Sequence, residues 1–169
     1  GGVIKIFNPK DQSRATEMRK SGLNIMMSMK SDSKPVSFVE DCAVSLENLA
    51  EYTNGLTKIF KKYNVNGTWY AHASVGCLHV RPVLNMKINK DVRKMRMIAE
   101  EACSLVKKFG GSFSGEHGDG IVRSEFIEKM FDKKINDIFR LAKDLFDPNR
   151  IFNPEKIIDA PKMDDKNYF

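Results

Sequence analysis

At 169 residues, with 41% hydrophobic and 30% charged residues, the chain has the size and composition of one ordinary soluble domain able to bury a core. Its longest apolar runs fall far short of the roughly 18 residues a membrane span needs, and Gly1-Gly2-Val3 opens no signal peptide. The net charge of +6 comes mostly from lysines spread over helix faces and loops, with no aromatic-and-basic motif, which argues against nucleic acid as a partner. Cys42, Cys77 and Cys103 are odd in number and lack CxxC spacing, so free thiols in a reducing compartment are expected. The expected location is the cytoplasm, with a peripheral position on the inner face of the membrane as the variant. The absent initiator methionine is expected to reflect processing or, by preference, a piece cut from a longer chain.

In chain order, Val3, Ile4, Ile6 and Phe7 read as the remnant of a strand ended by Asn8-Pro9. Residues 13–29 carry a helical pattern, weakened at Gly22, and 31–35 a turn. Residues 36–44 alternate as a strand, with Val36, Phe38 and Glu40 sharing one face. Ser45 suits the N-cap of a helix over 45–63, whose apolar stripe includes Leu49, Leu56, Ile59 and Phe60. Strands are predicted over 68–72 and 77–84, the latter broken by Pro82, which favours an edge. A helix over 90–109 buries Met95, Ala99, Ala102 and Val106 and stops at Gly110-Gly111. Residues 112–114 read as a short fourth strand, followed by helical stretches over 124–131 and 132–146 and by turns at Asp147-Pro148 and Asn153-Pro154. The order β-α-β-β-α-β with trailing helices predicts an α+β, ferredoxin-like fold: an antiparallel sheet with helices on one face, plus C-terminal helices. Residues 1–158 form the domain, and 159–169 read as a linker or frayed tail.

The chemistry concentrates in three histidines, all in glycine-punctuated stretches: His72 and His79 flanking Ala73-Ser74-Val75-Gly76, and His117 in Gly115-Glu116-His117-Gly118-Asp119-Gly120. Histidine titrates near neutrality and is the commonest metal ligand. Extended, His72 and His79 would point to opposite faces and lie about 23 Å apart. A shared role therefore requires a hairpin at Gly76; the other reading is two unrelated histidines, one in the sheet and one at its edge. A glutamate with two histidines is an ordinary set for a divalent metal with open positions. The competing reading of the second stretch is a glycine loop that holds an anion ahead of the helix at Ser124.

At these residues a resemblance enters. Tyr70-Ala71-His72-Ala73-Ser74-Val75-Gly76-Cys77-Leu78-His79 is similar to the GHxGDGNLH segment of FAD-linked oxidase C-terminal domains, and Ser114-Gly115-Glu116-His117-Gly118-Asp119-Gly120 to their SGEHGxG motif. Residues 146–156, with Asp147-Pro148 and Asn153-Pro154, resemble their DPxxxxNPGK ending. The resemblance covers about 14–158 and extends to flavin-dependent D-lactate and D-2-hydroxyglutarate dehydrogenases. Lys34-Pro35-Val36 with Phe38-Val39-Glu40-Asp41 looks most like long bacterial members that also carry an iron–sulfur region.

The resemblance implies a substrate domain covering the FAD of a separate domain, for a chain that oxidises a D-2-hydroxy acid to the 2-oxo acid. It implies His72, His79 and Glu116 as ligands of a divalent metal, Zn ahead of Mn or Fe, and His117 as the catalytic base. Arg19 would contact the substrate carboxylate, joined by Lys34, and Asn153 would face the cofactor. Two departures stand out: Ser74-Val75-Gly76-Cys77 replaces the usual GDGN, and Arg81 stands where many relatives have a substrate-contacting asparagine. A guanidinium there could take a carboxylate bidentately. Nothing in the chain resembles the FAD domain's phosphate-gripping loop, so the chain is expected to be inactive alone. The implied partners are the hydroxy acid, the FAD domain and an iron–sulfur region or other electron acceptor. The alternative function is a metal- or small-ligand module without redox activity.

Overall fold

A computed structural model describes residues 2–168; Gly1 and Phe169 lie outside the described residues. The fold is α+β, built on a four-stranded antiparallel sheet. Its strands are β1 (Lys34–Pro35), β2 (Cys42–Ala43), β3 (Gly67–His72) and β4 (Cys77–Leu84). β4 is the central strand: β3 pairs along its length from Gly67↔Pro82 to His72↔Cys77. On its other edge β1 pairs at Leu84 and Val83, and β2 at Leu78 and Cys77. An isolated bridge joins Ala43 to Ser112 beyond β2.

Period-2 alternation gives the two faces of the sheet different work. Leu78, Val80 and Leu84 are buried in the core with Tyr52, Leu56 and Phe60 of α2 (Leu49–Lys62) and Met95, Ile98, Ala102 and Val106 of α3 (Asn89–Lys108). The cross-strand pairs Thr68↔Arg81, Tyr70↔His79 and His72↔Cys77 occupy the opposite face. Over that face lies α1 (Pro9–Met27), through contacts of Arg19 with Tyr70 and His72. The C-terminal part comprises α4 (Gly120–Arg123), α5 (Ile127–Met130) and α6 (Lys133–Phe146). Among the described residues no helix is long and apolar enough to cross a membrane. All three cysteines are free and buried.

Several elements differ from the sequence expectation for identifiable reasons. Residues 3–7 form no strand and lead, largely exposed, into α1. Asn8-Pro9 begins that helix instead of ending a strand: Asn8 Oδ1 accepts the Lys10 N–H at 2.9 Å and proline fills the first helical position, where no N–H is needed. Residues 36–44 do not run as one strand, because a turn at Glu40-Asp41, with Asp41 at φ 58°, separates β1 from β2. Ser45 makes no side-chain cap; a 3₁₀ turn at Leu46–Asn48 leads into α2. Pro82 lies in the central strand rather than at an edge. Val83 N donates toward β3, so the Pro82 nitrogen faces β1, where only the Pro82 carbonyl is used, by Val36 N at 2.8 Å. Of 112–114 only Ser112 pairs with the sheet.

The stretch 124–131 is a 3₁₀ turn followed by the short α5. The tail read as a linker folds back: Met163 is buried in the core, its N–H donates to Glu125 Oε1 at 3.1 Å, and Asp164 pairs with Arg96 at 2.7 Å.

Candidate metal and substrate site

The β3–β4 hairpin turns through a 3₁₀ segment, Ala73–Val75, and Gly76 at φ 69°. A Cβ on Gly76 would fall 1.9 Å from the Val44 carbonyl oxygen, so the turn and its seat on the neighbouring strand both require glycine. The turn sets His72 opposite Cys77 and His79 opposite Tyr70, which brings the two imidazoles onto one face with ring centroids 5.0 Å apart. The loop after α3 delivers Glu116 to the same point. Its Oε1 lies 3.0 Å from His79 Nε2, 3.7 Å from His72 Nε2 and 3.5 Å from His117 Nε2.

His79 is only 5% exposed, and neither ring nitrogen has a hydrogen-bond partner among the described residues. The 3.0 Å approach of Glu116 therefore lies off the line a ring N–H would need. Nitrogen and oxygen instead border a common space, with donor atoms of His72, His79 and Glu116 all within 4.8 Å of one another. A buried imidazole without partners, beside a carboxylate and a second imidazole, fits a divalent cation such as Zn²⁺. Glu40, His79 and His117 form an overlapping group, with Glu40 Oε1 3.7 Å from His79 Nδ1.

Electrostatics favour the same use. Burial holds the His79 pKa below its ordinary value against the opposing pull of Glu116 and Glu40, which keeps the ring in the neutral form that ligates metals. At Glu40 burial disfavours charge, yet the hydrogen bonds and charge of Arg81 outweigh it and hold the carboxyl ionised below the usual range. Burial, reinforced by Glu116, pushes the Cys77 thiol up to about 11, so it stays protonated.

Arg19 reaches the cluster from α1. Its Nη2 donates to Tyr70 Oη at 2.8 Å and lies 3.3 Å from His72 Nδ1, with the guanidinium 4.9 Å from the Tyr70 ring centroid. Between α1 and the sheet a cleft of about 600 Å³ is bordered by Arg19, Ile25, Met26, Trp69, His79 and Arg81. The structure thus gathers His72, His79, Glu116, His117, Arg19 and Arg81. Lys34 is engaged elsewhere, holding the Met27 and Met29 carbonyls where α1 ends. Asn153 lies exposed in the C-terminal loop at φ 46°.

Sequence reading did not assign roles to Glu40, Asp41, Tyr70 or Arg123. Glu40 sits behind His79, and Asp41 and Arg123 form a buried pair behind Glu116. The signal was two adjacent acids in an otherwise apolar run, Phe38-Val39-Glu40-Asp41, where burial requires partners.

An α+β domain with two histidines, a glutamate and an arginine converging beside one cleft is the class defined by fold and site. Residues 4–157 match the family model described as FAD linked oxidases, C-terminal domain, and the chain belongs to that family. It is 37% identical over 155 residues (92% of this chain) to a D-2-hydroxyglutarate dehydrogenase of Haemophilus influenzae. It is 33% identical over 155 residues (89% of this chain) to one of Escherichia coli. A D-lactate dehydrogenase of Archaeoglobus fulgidus is 31% identical over 160 residues, 93% of this chain. The chain spans 15% of the length of the first two relatives and 34% of the third.

Proposed function

We propose that this chain is the substrate- and metal-binding domain of an FAD-dependent dehydrogenase that oxidises a D-2-hydroxy acid, of the D-2-hydroxyglutarate or D-lactate type, to the 2-oxo acid. The observation that carries the reading is the buried, unpartnered His79 with His72 and Glu116 around one space. The ferredoxin-like reading is supported by the spatial order Ser112, β1/β2, β4, β3, with α2 and α3 over one face.

His72, His79 and Glu116 would hold the divalent cation, Zn²⁺ by donor set. When bound, the cation supplies positive charge that acidifies a coordinated hydroxyl, and the flavin supplies the electron acceptor. The chain's own residues do the rest. Arg19 Nη2, 3.3 Å from His72 Nδ1, steadies that ring from the side away from Glu116. Arg19 also borders the cleft, where its guanidinium would take a substrate carboxylate. His117, 3.5 Å from Glu116 Oε1 and about half exposed, would serve as the base for the substrate hydroxyl proton. Arg81 uses Nε and Nη2 on Glu40, and its Nη1 makes no hydrogen bond to the described residues, which leaves that edge for an anion in the cleft. Lys34 contributes by fixing the end of the helix that carries Arg19. Asn153, exposed in the C-terminal loop, would contact the cofactor.

The partners are the FAD-binding domain, with an iron–sulfur region or other acceptor beyond it, in a cytoplasmic or membrane-peripheral setting that suits three free thiols. The test is anaerobic flavin reduction by D-2-hydroxyglutarate and D-lactate in the complete flavoprotein. His117→Ala should slow it by about 10²–10⁴-fold. A change under about threefold would remove His117 from the role of base.

A further inference from the structure

Three consecutive backbone N–H groups end on one residue. Gly115 N donates to the Asp41 carbonyl at 2.8 Å, and Glu116 N and His117 N both donate to Asp41 Oδ2 at 2.7 Å. The left-handed backbone of Asp41, φ 58°, turns its carbonyl and its carboxylate toward the same loop. Asp41 is fully buried, and its other oxygen pairs with the buried Arg123 guanidinium, which also takes the carbonyls of Glu40, Phe113 and Gly118. Gly115 is required by this arrangement, since a Cβ there would lie 2.6 Å from the Asp41 carbonyl oxygen. Residues 114–119 form neither strand nor helix, so no ladder of their own orients Glu116 or His117.

We infer that Asp41 is a positioning residue that aims Glu116 at His72 and His79 and sets His117 beside them. A carboxylate receiving two adjacent N–H groups fixes the peptide plane between Glu116 and His117, and with it the directions in which both side chains leave the backbone. Arg123 holds that carboxylate in place. The cation-affinity part of this claim rests on the metal reading above; the loop-holding part does not.

The test compares Asp41→Asn with Asp41→Gly, each combined with Arg123→Met so that no buried charge is orphaned. Asparagine keeps an oxygen for both amides, and both residues accept the left-handed backbone. Amide hydrogen exchange at Glu116 and His117 is measured by NMR, and Zn²⁺ affinity by calorimetry. D41N/R123M is the reference, since R123M alone would leave the Asp41 carboxylate buried without its counter-charge. D41G/R123M should exchange these amides, and release Zn²⁺, at least about tenfold more readily. Equal behaviour of the two double variants overturns the role. If the unmodified chain takes up no Zn²⁺, the metal reading falls and the exchange rates alone decide whether Asp41 holds the loop. If D41G/R123M does not fold, the unmodified chain decides. Protection of both amides by about 100-fold or more supports the role, and coil-like exchange overturns it.

Discussion

Glu116 Oε1 lies 3.0 Å from His79 Nε2 without forming a hydrogen bond with it, although the whole of α3 separates the two residues in the chain. A buried ring nitrogen and a carboxylate oxygen facing a shared space fit the proposed ligand roles better than an ion pair. The hairpin supplies the histidines, the Asp41-held loop supplies the glutamate, and the sheet face between them and α1 forms the wall of the cleft.

His79→Phe should separate stability from cation binding. The unpartnered nitrogens cost the fold about 1–3 kcal/mol, and a phenyl ring can stack as the imidazole does, between Tyr70 at 4.9 Å and His117 at 5.1 Å. In chelator the variant is expected to melt at or above the temperature of the unmodified chain. Zn²⁺ at 100 times its Kd should add about 2.7 kcal/mol to the unmodified chain and nothing to the variant. A clear loss of stability in chelator would show that the imidazole is held within the fold itself.

Arg19→Met in the complete flavoprotein should raise KM about tenfold or more while kcat moves less, because a carboxylate clamp binds ground and transition states alike. Steady-state kinetics with the preferred hydroxy acid checks this. A fall in kcat at unchanged KM would place Arg19 at the reacting centre instead.

Met163→Ala should cost about 2–5 kcal/mol, the range for truncating a buried methionine. Urea unfolding measures it. A change within about 0.5 kcal/mol, as at a surface position, would mean the tail does not dock.

Asp147 predicts a pH effect with a definite sign. The Lys143 ammonium 2.6 Å away lowers its pKa first of all; burial opposes, and the Ile151 and Phe152 N–H groups lower it further, to a value below the ordinary 3.8. A depressed carboxyl stabilises the fold above 3.8 and loses that contribution as pH falls through its folded-state value. Asp147→Asn should flatten the acid limb of stability against pH, read by thermal melts. An unchanged limb would assign acid sensitivity to other carboxyls.

The strongly periodic elements were legible in the sequence. The stripes of α2 and α3, the strand β4 and the turn at Gly76 follow from local pattern, and the hairpin made a joint role for His72 and His79 geometrically possible. What sequence could not show depends on distant partners. Glu40 and Asp41 read as part of an alternating strand because the groups that bend the chain there, Arg81, Arg123 and the 115–117 amides, arrive much later. Met163 read as tail because its short segment has no period of its own, and its burial is decided by α3 and Glu125. Asn8-Pro9 was ambiguous in principle, since the same dipeptide ends a strand or opens a helix; the sparsely apolar first turn of α1 gave no periodic cue.

The most direct test of the account is Zn²⁺ titration of this chain by calorimetry, alongside His72→Ala and Glu116→Gln. One Zn²⁺ per chain should bind, and each substitution should weaken that binding by at least about tenfold while the far-ultraviolet spectrum stays unchanged. Absence of stoichiometric binding, or equal binding by all three proteins, would contradict the assignment of His72, His79 and Glu116 as the metal ligands.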